Sequence, residues 1–506
     1  MSRTVNSLRN AAGSLGGQMA AALLRFACRT VFLRTLGAEF LGISSLYTNV
    51  LTILSISELG ISTVITYSLY EPLAREDWQK VRSLMDFYKK AYRAVALAIL
   101  VIGLALMPFL PRLMTGVTDK VNIYHYYLLY LAQSVVSYGF FAYKQTLLIA
   151  DQKKYLVDAV TTLGLMAVNL LQILSMLVLR SFLVYTLLSV VTAVVQNGIA
   201  AWLTDRRYPQ LKGPAPKLEK GEKRRLFAGT YALFLQRIST AIGTAGGNLI
   251  ISSFISVTAV GIYNNYSLIV TTVQSFFSSV FRSLTASLGN LMTESDRAHN
   301  RLVYRSLQLA CCYLVALCSA CFLAVFQSFI RLWAGEEYLL EKATVILIVA
   351  NFATNYLQTV VLIYRDAAGL FVYGKYRSVV NAALNLGLSL VLVQYLGMSG
   401  VFLGAIISRL VTVWWFDGWV LYRKCFDSYP WWYYFQCVLC LGVGAGAGAL
   451  CMWLAESLGT GWWQIAVALM ASAAAVTAVY ALLFGASPET AYLKTRFSAL
   501  VKRKKS

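Results

Sequence analysis

Five arginines and one glutamate stand inside apolar runs long enough to cross a bilayer: Arg25 and Arg29, Glu58, Arg237, Arg282 and Arg409. A mid-bilayer arginine costs roughly 2.5 to 3.5 kcal/mol on insertion scales, so the first run carries about 5 to 7 kcal/mol of unfavourable transfer. Arg25 and Arg29 are four residues apart and share one helix face. That face should turn inward to a wet cavity, and a guanidinium that never loses its proton can hold phosphate oxygens bidentately. A cavity lined in this way suits a phosphate or pyrophosphate better than an organic cation. Two other fates stay open: pairing with a carboxylate such as Glu58, and snorkelling for Arg237 and Arg282, which lie nearer the ends of their runs. At about 1.5 Å per residue, Glu58 and Arg25 sit roughly 16 and 20 Å from one side. They could therefore meet, with Glu58 either a static partner or a coupling group that takes a proton or Na+.

The elements that must position these charges are membrane helices. The chain has 506 residues, 58% hydrophobic and 13% charged, with a mean hydropathy of +0.63. Soluble domains carry roughly 25% charged residues, so the bilayer must be the solvent for most of this chain. Breaking the sequence at polar clusters gives about fourteen apolar stretches of spanning length. The fold class is therefore all-α: a polytopic membrane protein of two pseudo-symmetric six-helix lobes plus two extra helices. The expected divisions are an N-lobe over 1–208, a basic linker over 209–226, a C-lobe over 227–428, helices 13 and 14 within 429–484, and a basic tail over 485–506. Prolines are absent from the span interiors, so bending is expected to come from glycine.

Orientation follows from charge. The net charge is +22, and with an even number of spans about 32 of the Lys and Arg residues fall on the side of both termini, against about 6 opposite. Both termini are expected in the cytoplasm, and the excess of cations needs no nucleic acid to explain it. The duplication shows as Gly42-Ile43 with Tyr47 recurring as Gly261-Ile262 with Tyr266, and Tyr143-Lys144 with Lys154-Tyr155 recurring as Tyr364-Arg365 with Lys375-Tyr376. Parallel repeats of six spans are related by an axis along the membrane normal.

Catalysis finds no support. The outward loops are short and poor in carboxylates and histidines, so an enzyme of glycan assembly is disfavoured. Cys318/Cys321 and Cys437/Cys440 have the C-x-x-C spacing, but both pairs lie in apolar runs without the further ligands zinc needs. No metal and no cofactor is expected. Gly442 with Gly446 and Gly444 with Gly448 form small-residue stripes that read as helix-packing surfaces.

The run from Leu36 to Arg93, beginning LGAEFLGISSLYTNV, resembles the N-terminal block of bacterial polysaccharide transporters, the Wzx-type oligosaccharide flippases. These form a branch of the multidrug/oligosaccharidyl-lipid/polysaccharide exporter superfamily. The likeness extends through YALFLQRIS at 231–239. It implies two lobes around a central cavity that opens alternately to either side, and residence in the cytoplasmic membrane. It further implies an undecaprenyl-pyrophosphate-linked oligosaccharide as cargo, with Arg29, Arg25, Arg409, Arg237 and Arg282 as the cavity cations and Glu58 as charge partner or coupling group. Membrane lipids are expected partners, and the two extra helices would form a groove for the lipid tail. The coupling ion, H+ or Na+, and a polysaccharide polymerase as partner stay open. The related lipid II flippases carry a cavity arginine eight residues before a glycine that ends span one, a spacing that Arg29 and Gly37 match. They also carry an arginine early in span eight, where this chain has Tyr266, which argues against lipid II as cargo. The competing reading is a cation-coupled multidrug exporter of the same superfamily, which needs an acidic cavity that span one does not offer.

Overall fold

The computed structural model describes residues 3–55, 61–116, 122–151, 153–216, 218–224, 226, 243, 245–294, 297–368, 370, 377–457, 459 and 461–503. The chain divides into two units, Met1–Gly261 and Ile262–Ser506. In the first unit the longer helices are α1 (Arg3–Leu54), α2 (Ile61–Ala74), α3 (Trp78–Leu106), α4 (Ile123–Gly139), α5 (Tyr143–Ala150), α6 (Lys154–Leu179) and α7 (Phe182–Arg207). The second follows with α8 (Val257–Glu294), which begins just inside the first unit, then α9 (Arg297–Trp333), α10 (Lys342–Tyr356), α11 (Thr359–Ala367) and α12 (Arg377–Arg409). It ends with α13 (Trp415–Cys425), α14 (Trp431–Ser457), α15 (Trp462–Phe484) and α16 (Pro488–Arg503). The protein is an all-helical, multi-pass membrane protein. Eight helical stretches among the described residues are long and apolar enough to cross a bilayer. That is fewer than about fourteen, partly because one of them, Arg377–Cys425, runs through two expected spans that Gly397 separates.

Glycine breaks two helices between expected spans. Gly37 sits at φ 84° inside α1 and Gly397 at φ 55° inside α12, conformations that a side chain disfavours. Two further interruptions do not rest on glycine's freedom. Expected span four is cut between α4 and α5 at Phe140–Ala142, where Phe141 takes φ 60°, and span ten is cut between α10 and α11 at Leu357–Gln358. Bending therefore does not come from glycine alone. Both cuts fall at corresponding places in the duplicated pattern.

The recurring residues make recurring contacts. Tyr47 and Tyr266 are fully buried. Tyr47 donates its hydroxyl to the carbonyl of Ile123, at the start of α4, at 2.6 Å. The Tyr266 hydroxyl accepts from the amide of Leu340, just before α10, at 3.1 Å. Gly42 and Gly261 share one crossing: a β-carbon on Gly42 would stand 1.9 Å from the carbonyl oxygen of Val257, and one on Gly261 would stand 2.1 Å from that of Ala38. Only glycine lets these backbones approach so closely. Gly42→Ala should accordingly destabilise the protein by about 1–3 kcal/mol, seen as a lower unfolding temperature in detergent. Gly442→Ala, which would point into open space, should leave it unchanged or slightly raised. Equal unfolding temperatures for the two variants would mean the crossing is not tight.

In the second unit, α9 carries the core, packing on α10, α14, α15 and α16. Of the two small-residue stripes on α14, Gly444 and Gly448 meet Ala316, Ala320 and Leu323 of α9, whereas Gly442 and Gly446 face open space. Cys437 and Cys440 are buried thiols on the same interface, and Cys440 donates to the carbonyl of Cys312 at 3.0 Å. Their environment is helix packing. The Pro- and Lys-rich connection after α7 does not hang free in the first unit. Its Leu218 and Leu226 join Val81, Leu84, Leu147 and Leu148 in a buried cluster, and its Glu222 pairs with Lys80 of α3.

Candidate functional site

Arg29 stands in the middle of α1, eight residues before the break at Gly37. α1 packs along α6, where Cys28 Sγ donates to Gln172 Oε1 at 3.9 Å, and Phe32 packs on Phe182 and Tyr185 of α7. Phe32 is wedged edge-on against Tyr185 at 4.9 Å between ring centroids. Gln172 of α6 ties the floor together, donating to the Tyr185 carbonyl at 3.0 Å and to Ser189 Oγ at 2.9 Å. This apolar and amide packing fixes the register of α1, so the Arg29 side chain must leave the helix toward Tyr130 and Tyr185, its electrostatic neighbours together with Cys28. No carboxylate is among them. Its Nη1 is buried and has no hydrogen-bond partner among the described residues. A guanidinium in that state is desolvated and unsatisfied, a costly arrangement unless another group arrives to accept its hydrogens.

Tyr130 links this cation to a cavity. Its hydroxyl donates to Ser44 Oγ at 2.6 Å, and its ring forms a wall of a cavity of about 230 Å³ between the second half of α1 and α4. The other polar walls are Thr48, Thr52, Ser55, Gln133, Ser134, Ser137 and Tyr138. None of these is charged. Thr48, Thr52, Ser55 and Ser137 donate their hydroxyl hydrogens to the carbonyls of their own helices, which leaves their oxygens as acceptors toward the cavity. The described walls carry no formal charge and can exchange hydrogen bonds with neutral hydroxyls.

The other expected site residues fall out differently. Arg25 is exposed on α1, its Nε donating only to the Ala21 carbonyl at 3.4 Å. Arg409, at the end of α12 and just before a π-helical turn over Leu410–Trp414, is held by neutral groups of α10. Its Nη1 reaches Asn351 Oδ1 at 3.0 Å, the Asn351 carbonyl at 3.2 Å and Thr354 Oγ1 at 2.9 Å. Arg237 and Glu58 lie outside the described residues, as do Lys375 and Tyr376 of the recurring pattern and the side chain of Arg282. Tyr266 is spent on its buried hydrogen bond to Leu340.

One charged site escaped the reading of the sequence. Asp417 on α13 is 1% exposed and lies between Arg365 of α11, at 2.8 Å, and Arg377 of α12. In the first unit Lys144 of α5, which recurs as Arg365, pairs with Asp205 of α7 at 2.6 Å, and Asp205 is 49% exposed. The recurrence of Tyr143-Lys144 as Tyr364-Arg365 was the available signal, since a partner for the first cation implies one for the second.

Residues 7–285 match the sequence profile of the family described as polysaccharide biosynthesis protein. The chain belongs to that family. Among solved structures it is similar to the lipid II flippase MurJ in an inward closed conformation, with a TM-score of 0.67 at 10% identity over 92% of this chain and 98% of that one. It is similar also to an inward-facing multidrug resistance MATE transporter of the MOP superfamily, with a TM-score of 0.58 at 12% identity over 83% and 95% of the two chains. The fold is that of these flippase and transporter structures, and the family match is to polysaccharide biosynthesis proteins. No curated protein matches the sequence.

Proposed function

We propose that the chain moves an undecaprenyl-pyrophosphate-linked oligosaccharide across the cytoplasmic membrane by alternating access, with Arg29 as a pyrophosphate-binding cation. The reading is carried by the unpartnered Nη1 of Arg29 beside Tyr130, whose ring also walls the uncharged, hydroxyl-lined cavity. An anionic phosphate and neutral sugar hydroxyls are the two chemistries that such a pair of neighbours accepts, and a lipid-linked sugar carries both. Arg409 is the proposed cation of the second unit, with Arg25, Arg237 and Arg282 as further contacts. Glu58 is either the static counter-ion of Arg25 or the group that takes a coupling H+ or Na+.

The experiment is reconstitution of the purified chain into vesicles. A polyprenyl-pyrophosphate oligosaccharide should become accessible from the opposite leaflet only when the protein is present. Export of a cationic dye in its place would overturn the assignment in favour of a drug exporter, the activity named for the MATE neighbours. Lipid II is not expected to be the preferred cargo, because Tyr266 replaces the span-eight arginine. The proposed orientation puts residues 204–226 and the segment after Pro488 in the cytoplasm. Single cysteines introduced there should resist a membrane-impermeant maleimide in intact cells and react after lysis, and labelling in intact cells would reverse the topology.

A further inference from the structure

A second cavity in the first unit, of about 370 Å³, has a chemistry that the transport reading does not use. Four cations line it: Arg82 and Lys89 of α3, Lys144 of α5, and Lys212 of the connection that follows α7. The carboxylates in its wall are already engaged. Asp205 pairs with Lys144, and Asp86 pairs with Lys90 at 2.5 Å. Arg82, Lys89 and Lys212 pair with no carboxylate among the described residues, and they converge from two different parts of the chain.

The convergence is built. Arg82 is oriented by its Nε, which donates to the Trp78 carbonyl at 3.3 Å, and its guanidinium lies under the connection, where a β-carbon on Gly213 would fall 2.5 Å from Nη1. Gly213 takes φ 133°, a backbone conformation that favours glycine. Lys80 with Glu222, and the buried Leu218, hold the connection down on α3. Burial and the Asp151 carboxylate, which accepts the Tyr208 hydroxyl, push the Tyr208 phenol above its ordinary range. It therefore faces the cavity as a neutral group and adds no negative charge.

The depth of the cavity narrows the ligand. Lys89 precedes the apolar run that starts at Ala94 by five residues, about 7 Å along a helix, and the headgroup layer is about 5–7 Å thick on each side of the hydrocarbon. On α7, Trp202 is 57% exposed and carries Arg206 over its ring at 5.4 Å, three residues before Asp205. An exposed tryptophan on an apolar helix marks the interface between hydrocarbon and water. The Lys89 end of the cavity lies where lipid phosphates lie, and Arg82, seven residues earlier on α3, is about 10 Å farther toward water.

We propose that Arg82, Lys89 and Lys212 form a phosphate-binding site at headgroup level that clamps the connection after α7 onto α3. The phosphate comes from an anionic membrane lipid or from a soluble phosphate ester, and the test separates the two. The site is independent of the transported cargo.

The full-length protein in neutral detergent is titrated at constant ionic strength with short-chain phosphatidylglycerol, short-chain phosphatidylcholine and inorganic phosphate, and binding is read by native mass spectrometry and by the unfolding temperature. Phosphatidylglycerol should bind at least tenfold more tightly than phosphatidylcholine. Removing all three cations by Arg82→Gln, Lys89→Gln and Lys212→Gln should weaken it about a hundredfold, at about fivefold per cation. Lys220→Gln, Lys223→Gln and Arg224→Gln remove the same charge from the same connection outside the cavity, and should change affinity less than twofold. If inorganic phosphate alone binds, with the same dependence on the three cations, the site stands with a soluble ester as ligand. Should the triple variant fold poorly, Lys89→Gln alone is expected to show the fivefold loss. Equal losses in the cavity and control variants, equal affinity for the two lipids, or no binding of either anion would overturn the proposal.

Discussion

Arg29→Ala is expected to abolish export of the lipid-linked glycan while the protein stays in the membrane at its normal level. The two halves of this expectation rest on one observation. Among the described residues the Arg29 Nη1 makes no hydrogen bond, and its electrostatic neighbours, Tyr185, Cys28 and Tyr130, include no carboxylate. Removing the guanidinium therefore breaks no ion pair among the described residues and relieves a desolvation cost of several kcal/mol. What it removes is the charge available to an arriving phosphate, and a charge-assisted bidentate contact is worth about 1.5–3 kcal/mol or more per bond in a dry site. Losing two such bonds would weaken cargo binding by at least a hundredfold. Arg29→Lys keeps the charge but replaces a planar fork by a point donor, so it should restore export only in part. The measurements are surface glycan, protein in the membrane fraction and unfolding temperature. A well-expressed Arg29→Ala protein that exports normally would take Arg29 out of the mechanism. A protein lost from the membrane would instead make Arg29 a structural cation, and the transport reading would then need another residue to carry it.

Much of this site was legible in the sequence because membrane burial makes charge conspicuous. An arginine in an apolar run must be explained, and Arg29 and Arg409 stood out for that reason. The spacing of Arg29 to Gly37 corresponds to a helix that breaks at φ 84°. Gly42 and Gly261 were visible as recurrences, although the reason for them, two backbones crossing within reach of each other's carbonyls, needed coordinates. Other features were hidden by their composition. Phe140, Phe141 and Ala142 are apolar and read as helix, yet they break one. Leu218 and Leu226 sit among lysines and prolines and read as linker, yet they are buried. The hydroxyl-lined cavity is built from serines and threonines that each look unremarkable in a helix and acquire meaning only when α1 and α4 face one another across it. Asp417 was missed because a single aspartate among tryptophans reads as an interfacial residue, and its two partners are contributed by other helices.

Asp417→Asn is expected to be the most destabilising single substitution in the second unit, by about 3–5 kcal/mol, because it leaves Arg365 and Arg377 buried without their carboxylate. Both arginine side chains are at most 10% exposed and the aspartate is 1% exposed, so water cannot take over the role of the lost anion. The first unit supplies a built-in control. Asp205→Asn removes the carboxylate beside Lys144, but Asp205 is 49% exposed, and solvent screening limits the cost to about 1 kcal/mol or less. The substitution is the same in both, so the two variants contrast a buried carboxylate between two arginines with a half-exposed one beside a single lysine. Folded protein in the membrane and the unfolding temperature should drop sharply for Asp417→Asn and little for Asp205→Asn. Arg377→Gln added to Asp417→Asn should recover part of the loss by lowering the uncompensated charge, whereas Arg377→Gln alone should itself destabilise. Equal tolerance of Asp417→Asn and Asp205→Asn would mean that the two buried arginines are satisfied without Asp417, and the ion triad would then not be what joins the ends of α11, α12 and α13.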